Sequence, residues 1–169
     1  MVNPIEVQRE ILTWSDVDKL MDHLLPQLKG PYDAMLIITR GGIVPGGLIC
    51  ETLDIRHILT ASVQFYSGVK ETLAWPIFLQ FPSDSLLVGK RILVVDDIWD
   101  SGRTITTVQG RVEAAGGHPE LAVLHYKPTD SLFPNAAPHY YAAATDAWIV
   151  YPWERERSLG QLSGVPSPV

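Results

Sequence analysis

Two adjacent carboxylates, Asp96 and Asp97, stand just upstream of the run Asp100-Ser101-Gly102-Arg103-Thr104. Side-by-side carboxylates repel each other unless a ligand supplies protons or positive charge between them. Vicinal ribose hydroxyls can do the first and a magnesium ion the second. The residues that follow suit an anion. Gly102 lets the backbone close around a phosphate, and Ser101 and Thr104 can donate from their hydroxyls. The outward N–H groups and dipole of a helix start would complete the cradle. Paired carboxylates beside a phosphate cradle read as a site for ribose 5-phosphate. The Walker-type phosphate loop and the dinucleotide fingerprint are both absent. The plainer alternative is a strand, a turn and a helix with an aspartate as cap.

Such a site needs a rigid mount. Arg91–Val95 is an apolar run that ends directly in the acid pair, and Gly102–Ala115 reads as a helix closed by Gly116-Gly117. Ala34–Ile38 is a second continuous apolar run, the pattern of a parallel strand covered on both faces. It runs into Thr39-Arg40-Gly41-Gly42, after which Pro45 fits the first turn of a helix reaching Leu53. Ile58–Phe65, Leu121–Tyr126 and Ala147–Val150 are further strand candidates. Ser15–Leu28 has the apolar spacing of an amphipathic helix, with Ser15 as its expected cap and Lys29-Gly30-Pro31 as its stop. Residues 66–89 are interrupted by Pro76 and Pro82 and read as a hairpin, hood or mobile flap. The order predicts an α/β fold: an open, mostly parallel twisted sheet flanked by helices, with a small hood. In such sheets ligands bind beyond the carboxyl ends of the strands. Residues 1–154 are expected to form one domain, with 155–169 as a C-terminal tail.

Composition narrows the partners. A formal net charge of −6 disfavours a diffuse nucleic-acid-binding surface, which needs the opposite sign. A single cysteine, Cys50, allows no intrachain disulfide and fits a reducing compartment. No signal peptide and no membrane span are visible, so a cytoplasmic protein is expected. The five histidines show no metal-ligand spacing and are taken as structural or surface groups, and Cys50 as inert packing.

The run from Ile92 to Thr104 resembles the phosphoribosyl pyrophosphate (PRPP) motif of type I phosphoribosyltransferases: apolar strand, two acids, two variable residues, then Asp-Ser/Thr-Gly-x-Thr. Thr39 to Gly46 resembles the pyrophosphate loop of the xanthine-guanine members, where a non-proline cis peptide is common. Tyr126-Lys127-Pro128 and Thr145 to Glu154 resemble their base-binding segments. The resemblance covers residues 12 to 154 and implies transfer of 5-phosphoribosyl from PRPP to a 6-oxopurine (guanine, xanthine or hypoxanthine) with Mg2+ as cofactor. It implies that Asp96, Asp97, Asp100, Ser101, Gly102, Arg103 and Thr104 hold ribose and phosphate. Arg40, Gly41 and Gly42 would form the pyrophosphate loop, and Asp100 would accept the base proton. Lys127 would meet the exocyclic oxygen of the base, Trp148 would stack on it, and Ile149 would contribute its main chain. Asp97 and Glu154 would face the metal. Relatives are dimers or tetramers, so a homo-oligomer is expected, with Trp75, Ile77 and Phe78 as contact residues.

Each segment also has a plainer reading: a turn for Arg40-Gly41-Gly42, a solvated lysine for Lys127, a core aromatic for Trp148 and a solvated carboxylate for Glu154. The hood departs from the pattern, with Tyr66-Ser67 in reversed order and Lys70 its single basic residue. Lys70, Lys90 and Arg91 remain open as the contact for pyrophosphate. An adenine or pyrimidine acceptor is the alternative within the family. Lys127 argues against it, because an ammonium donates and cannot accept. A PRPP-sensing regulator is the alternative outside it.

Overall fold

A computed structural model describes residues 8–66 and 75–154 of the chain. A short strand, β1 (Arg9–Ile11), leads into helix α1 (Trp14–Leu24). Thr13, not Ser15, caps that helix. Its hydroxyl accepts from the Asp16 N–H, and the Asp16 carboxylate accepts from the Thr13 N–H in return. The helix also ends sooner than its apolar spacing suggests. Leu25 keeps helical backbone, but Pro26 has no N–H to carry on the helical hydrogen bonds, and Leu25–Gln27 tighten into a 3-10 turn.

The chain continues through β2 (Ala34–Ile38), α2 (Ile43–Leu53), β3 (Ile58–Tyr66), β4 (Trp75–Gln80) and β5 (Arg91–Val95). Then come β6 (Ile98–Trp99), α3 (Arg103–Ala114), β7 (His118–Tyr126), β8 (Tyr140–Ala144) and β9 (Trp148–Val150). Seven strands form one sheet. From one edge, β4, β3, β2, β5 and β7 are neighbours, and β7 also pairs with β6 and β8. All pairs are parallel except β3 with β4. The expected open, mostly parallel sheet flanked by helices is the observed fold.

Alternation explains why the central strands read as unbroken apolar runs. Met35, Ile37, Leu93, Val95, Ala122 and Leu124 point to the face covered by α1 and α2. Leu36, Ile38, Ile92, Val94, Leu121 and Val123 point to the face covered by α3. Each fully buried aliphatic side chain of this kind contributes about 1.5–3 kcal/mol. The segment 66–89 divides: β4 forms the sheet edge, Leu87 is fully buried, and residues 67–74 lie outside those described.

The end of the sheet differs from expectation. Trp148–Val150 is not a core strand; it pairs with β1 in a separate two-stranded sheet. The strand that completes the large sheet beyond β7 is β8, a half-exposed edge rich in alanine that carries no strong periodic signal.

Candidate active site at the carboxyl ends of the strands

Strands β2 and β5 run side by side, with Ile37 opposite Val95, so their carboxyl ends emerge together. This places Thr39–Gly42 against Asp96–Asp97. The acid pair interrupts one ladder: β5 pairs with β7 up to Val95, and β6 resumes on β7 at Ile98 without a change of register. The interruption is held by the backbone. Asp96 N–H donates to Ala122 O (3.2 Å), and Asp97 O accepts from Leu124 N (2.9 Å) and His125 N (3.1 Å). The buried Tyr151 hydroxyl also donates to Asp97 O, at 3.0 Å.

Both glycines of the loop answer to this crowding. A Cβ on Gly41 would lie 2.5 Å from Asp97 Oδ1 and 2.7 Å from Asp96 Oδ1, and one on Gly42 would strike the Val95 carbonyl oxygen. The Thr39–Arg40 peptide is cis, as the resemblance leads one to expect. The resulting cleft, about 730 Å³, lies between Arg40–Gly41 and Asp96, Asp97 and Thr104, with Trp153 and Glu154 at its end. Glu154 is tied to the same framework, its carboxylate accepting from Tyr151 N–H at 2.9 Å.

Three carboxylates in one cleft leave it electrostatically unsatisfied. Burial, then the neighbouring Asp97, push the Asp96 carboxyl well above the ordinary carboxylate range. Burial, then Glu154, push Asp97 up to about 6. No group of three or more His, Cys, Asp or Glu among the described residues forms a self-sufficient metal cage. The oxygen-only donor set suits a hard cation that takes its other ligands from water and substrate, as magnesium does. The residues present therefore fit that ion.

A second recess, about 200 Å³, opens where Asp100–Thr104 meets α3. Gly102 has φ +81° there, and a Cβ would drive into the buried Trp99 indole. Ser101 Oγ accepts from Arg103 N–H at 3.4 Å, and the Arg103 guanidinium sits 4.6 Å from the centre of the Phe65 ring. The first-turn N–H groups of α3 lie at this recess, and a helix start of this kind suits an anion.

The third part lies beside it. Lys127, which follows β7, is only 5% exposed, so it is not a solvated surface lysine. Its Nζ lies 3.4 Å from Asp100 Oδ1, 3.3 Å from Asp130 Oδ2 and 5.8 Å from the centre of the Trp148 ring. Trp148 is 56% exposed, so it is not a core aromatic either. Its N–H donates to Gln8 O, and Val150 O accepts from Leu12 N–H. Strand alternation then turns the N–H and C=O of Ile149 toward the opposite edge of β9.

Two open expectations are corrected. Arg91 is bound to Glu120 at 2.6 Å and lies over the Tyr32 ring at the amino end of β5, with Lys90 just before it. A strand of that length separates them from Asp96 by well over 10 Å, so neither meets this cleft. Lys70 lies outside the described residues. Sequence reasoning passed over Thr129–Leu132, which braces the site. Thr129 Oγ1 donates to Asp146 (2.5 Å), Ser131 Oγ accepts from Trp99 Nε1 (3.1 Å) and Leu132 N–H donates to Ser101 O (3.0 Å). These are contacts between distant segments and leave no local pattern. Tyr151, whose hydroxyl also meets buried His125 at 2.7 Å, is of the same kind.

The family model for a phosphoribosyl transferase domain matches residues 8–154. A xanthine-guanine phosphoribosyltransferase of Gluconobacter oxydans is 30% identical over 155 residues, covering 89% of this chain and 88% of that one. One from Cereibacter sphaeroides is 32% identical over 74% of this chain and 71% of that one. Among solved structures, the purine phosphoribosyltransferase of Pyrococcus horikoshii matches with a TM-score of 0.73 at 29% identity, covering 89% of this chain and 97% of that one.

Proposed function

Because the chain belongs to the phosphoribosyltransferase family, we propose that it transfers 5-phosphoribosyl from PRPP to a 6-oxopurine base in purine salvage. The products are the nucleoside monophosphate and pyrophosphate. One observation carries the choice of base: the Lys127 ammonium, buried below the exposed Trp148 ring and within 3.4 Å of Asp100. A donor with no acceptor capacity selects an oxygen over an amino group. A ring face beside it suits a flat heterocycle.

The geometry supports the following roles. The 5′-phosphate sits in the recess of Ser101, Gly102, Arg103 and Thr104, against the start of α3. The ribose hydroxyls donate to Asp96 and Asp97, supplying hydrogen bonds to two carboxyls that are raised first by burial and then by a neighbouring carboxylate. Arg40 and the Gly41–Gly42 backbone face the pyrophosphate across the cleft. Asp97 and Glu154 would hold Mg2+, which supplies charge neutralisation to the departing pyrophosphate. As the bond at C1 breaks, positive charge develops on the ribose, and the acid pair lies where it stabilises that charge. The base stacks on Trp148, presents its oxygen to Lys127 and meets the main chain of Ile149. Asp100, between phosphate and base, accepts the proton from the ring nitrogen.

Incubation with PRPP, Mg2+ and a panel of bases, read by product mass, tests this. Nucleoside monophosphate is expected from guanine, xanthine or hypoxanthine and not from adenine or a pyrimidine. PRPP binding without turnover on any base would favour a sensor. Within this scheme Gly41→Ala pushes a methyl into both carboxylates. It is expected to raise the KM for PRPP about tenfold, with an unchanged circular dichroism spectrum.

Self-association and a cytoplasmic setting belong to the same proposal. Trp75, Ile77 and Leu79 alternate along the edge strand β4 and are exposed, as are Ile43 and Leu48 of α2. Phe78 is not part of this surface; it turns inward and meets Phe81 edge-to-face at 5.0 Å. Apolar area of this kind on a sheet edge calls for a covering partner. Sedimentation equilibrium is expected to give a dimer or tetramer of the 18.7 kDa chain, and a monomer would sink the assignment. Among the described residues no helix is long and apolar enough to cross a membrane, and Cys50 is half-buried in α2.

A further inference from the structure

Lys127 is held by two carboxylates, and the two contacts are not equivalent. Its approach to Asp130 at 3.3 Å has the alignment of a hydrogen bond, whereas its approach to Asp100 at 3.4 Å is an ion-pair distance only. The segment carrying Asp130 is fastened on both sides. Thr129 bonds the Asp146 side chain just before β9, and Ser131 and Leu132 bond Trp99 and Ser101 at the phosphate recess. Asp130 is thus fixed relative to both the base edge and the ribose-phosphate edge.

This matters because the reaction gives Asp100 other work. When Asp100 turns to the ring nitrogen, its hold on Lys127 weakens. A buried ammonium left without a counter-charge is costly and free to swing. Asp130 is the carboxylate that stays. An ammonium has three donor hydrogens, so one bond to Asp130 leaves others for an oxygen of the base. We propose that Asp130 is a positioning residue for base recognition: it keeps Lys127 aimed at the exocyclic oxygen while Asp100 is engaged elsewhere, and so sets the preference for a 6-oxo over a 6-amino purine. This rests on the reading of the base site given above. The competing view is that Asp130, half-exposed, forms a surface ion pair of little consequence.

Calorimetry on the full chain separates these views, with guanosine 5′-monophosphate, adenosine 5′-monophosphate and ribose 5-phosphate as probes. Asp130→Asn is expected to weaken the guanine nucleotide about tenfold, the scale of one charge-assisted hydrogen bond. The adenine nucleotide and the base-free ribose 5-phosphate should stay within about twofold on the same scale, and Asp130→Glu should recover part of the loss. Unchanged affinity for the guanine nucleotide would overturn the proposal. So would an equal loss for all three ligands, which signals a merely structural role. Wild-type protein that binds ribose 5-phosphate yet shows no preference for the guanine nucleotide would fail one step earlier, at the base assignment, and the role of Asp130 would fall with it.

Discussion

Asp100→Asn is expected to lower kcat by about 10²- to 10³-fold, the range for loss of a general base, while the KM for PRPP stays within about threefold. The substitution keeps the shape of the side chain and removes its capacity to take a proton. The recess at the start of α3 does not depend on it, because Gly102 caps α3 and Ser101 bonds the Arg103 N–H. Lys127 is not stranded either, since Asp130 still accepts from it. Turnover and PRPP affinity should therefore separate. Single-turnover measurements with preloaded PRPP isolate the chemical step from product release. A variant with wild-type turnover would remove Asp100 from proton transfer. A variant that lost PRPP affinity in proportion would make it a binding residue instead.

Asp97→Asn is expected to do two opposite things: abolish productive PRPP binding and raise the thermal stability of the ligand-free protein at neutral pH. The folded protein holds the Asp97 proton up to about pH 6, whereas an ordinary aspartate releases it near 3.8. A raised carboxyl means that the unfolded chain ionises first. Its stabilising contribution is complete below the ordinary value, is lost as pH rises from about 4 to about 6, and stays lost above that. The loss is on the order of 2–3 kcal/mol, equivalent to several degrees in Tm for a chain of this size. Asparagine cannot ionise and escapes it. The Tm difference between variant and wild type should be near zero at pH 4 and reach its full value by about pH 7. PRPP with Mg2+ should raise the Tm of the wild type and leave the variant where it was. A variant less stable than wild type at pH 7.5 would show that burial and the nearby Glu154 do not make the Asp97 carboxylate a cost to the fold. The trade is a common one at sites that must receive charge.

Much of this site was legible because it is contiguous. Asp96 to Thr104 carries paired carboxylates, a glycine with positive φ and a helix start within one strand–loop–helix unit, and local chemistry survives in a linear reading. β2 and β5 were legible for a related reason. A parallel strand buried on both faces has no solvent side to break its apolar run, so its ends show where the acids and glycines begin. Thr13 carried a signal too, Thr-x-x-Asp, which fits a capping box better than Ser15 fits a cap.

The amino-acid sequence by itself therefore determined the central strands, the glycine loop that opens α3 and the acid pair, since each depends on residues adjacent in the chain. Only the tertiary structure decided that Gly41 is small because two carboxylates crowd it, that Lys127 is buried between Asp100 and Asp130, and that Trp148 leaves the main sheet to pair with β1. Those facts come from loops at the same end of parallel strands, brought together by strand order. A side chain's burial and its counter-charge are properties of those neighbours in space, which no spacing along the chain encodes.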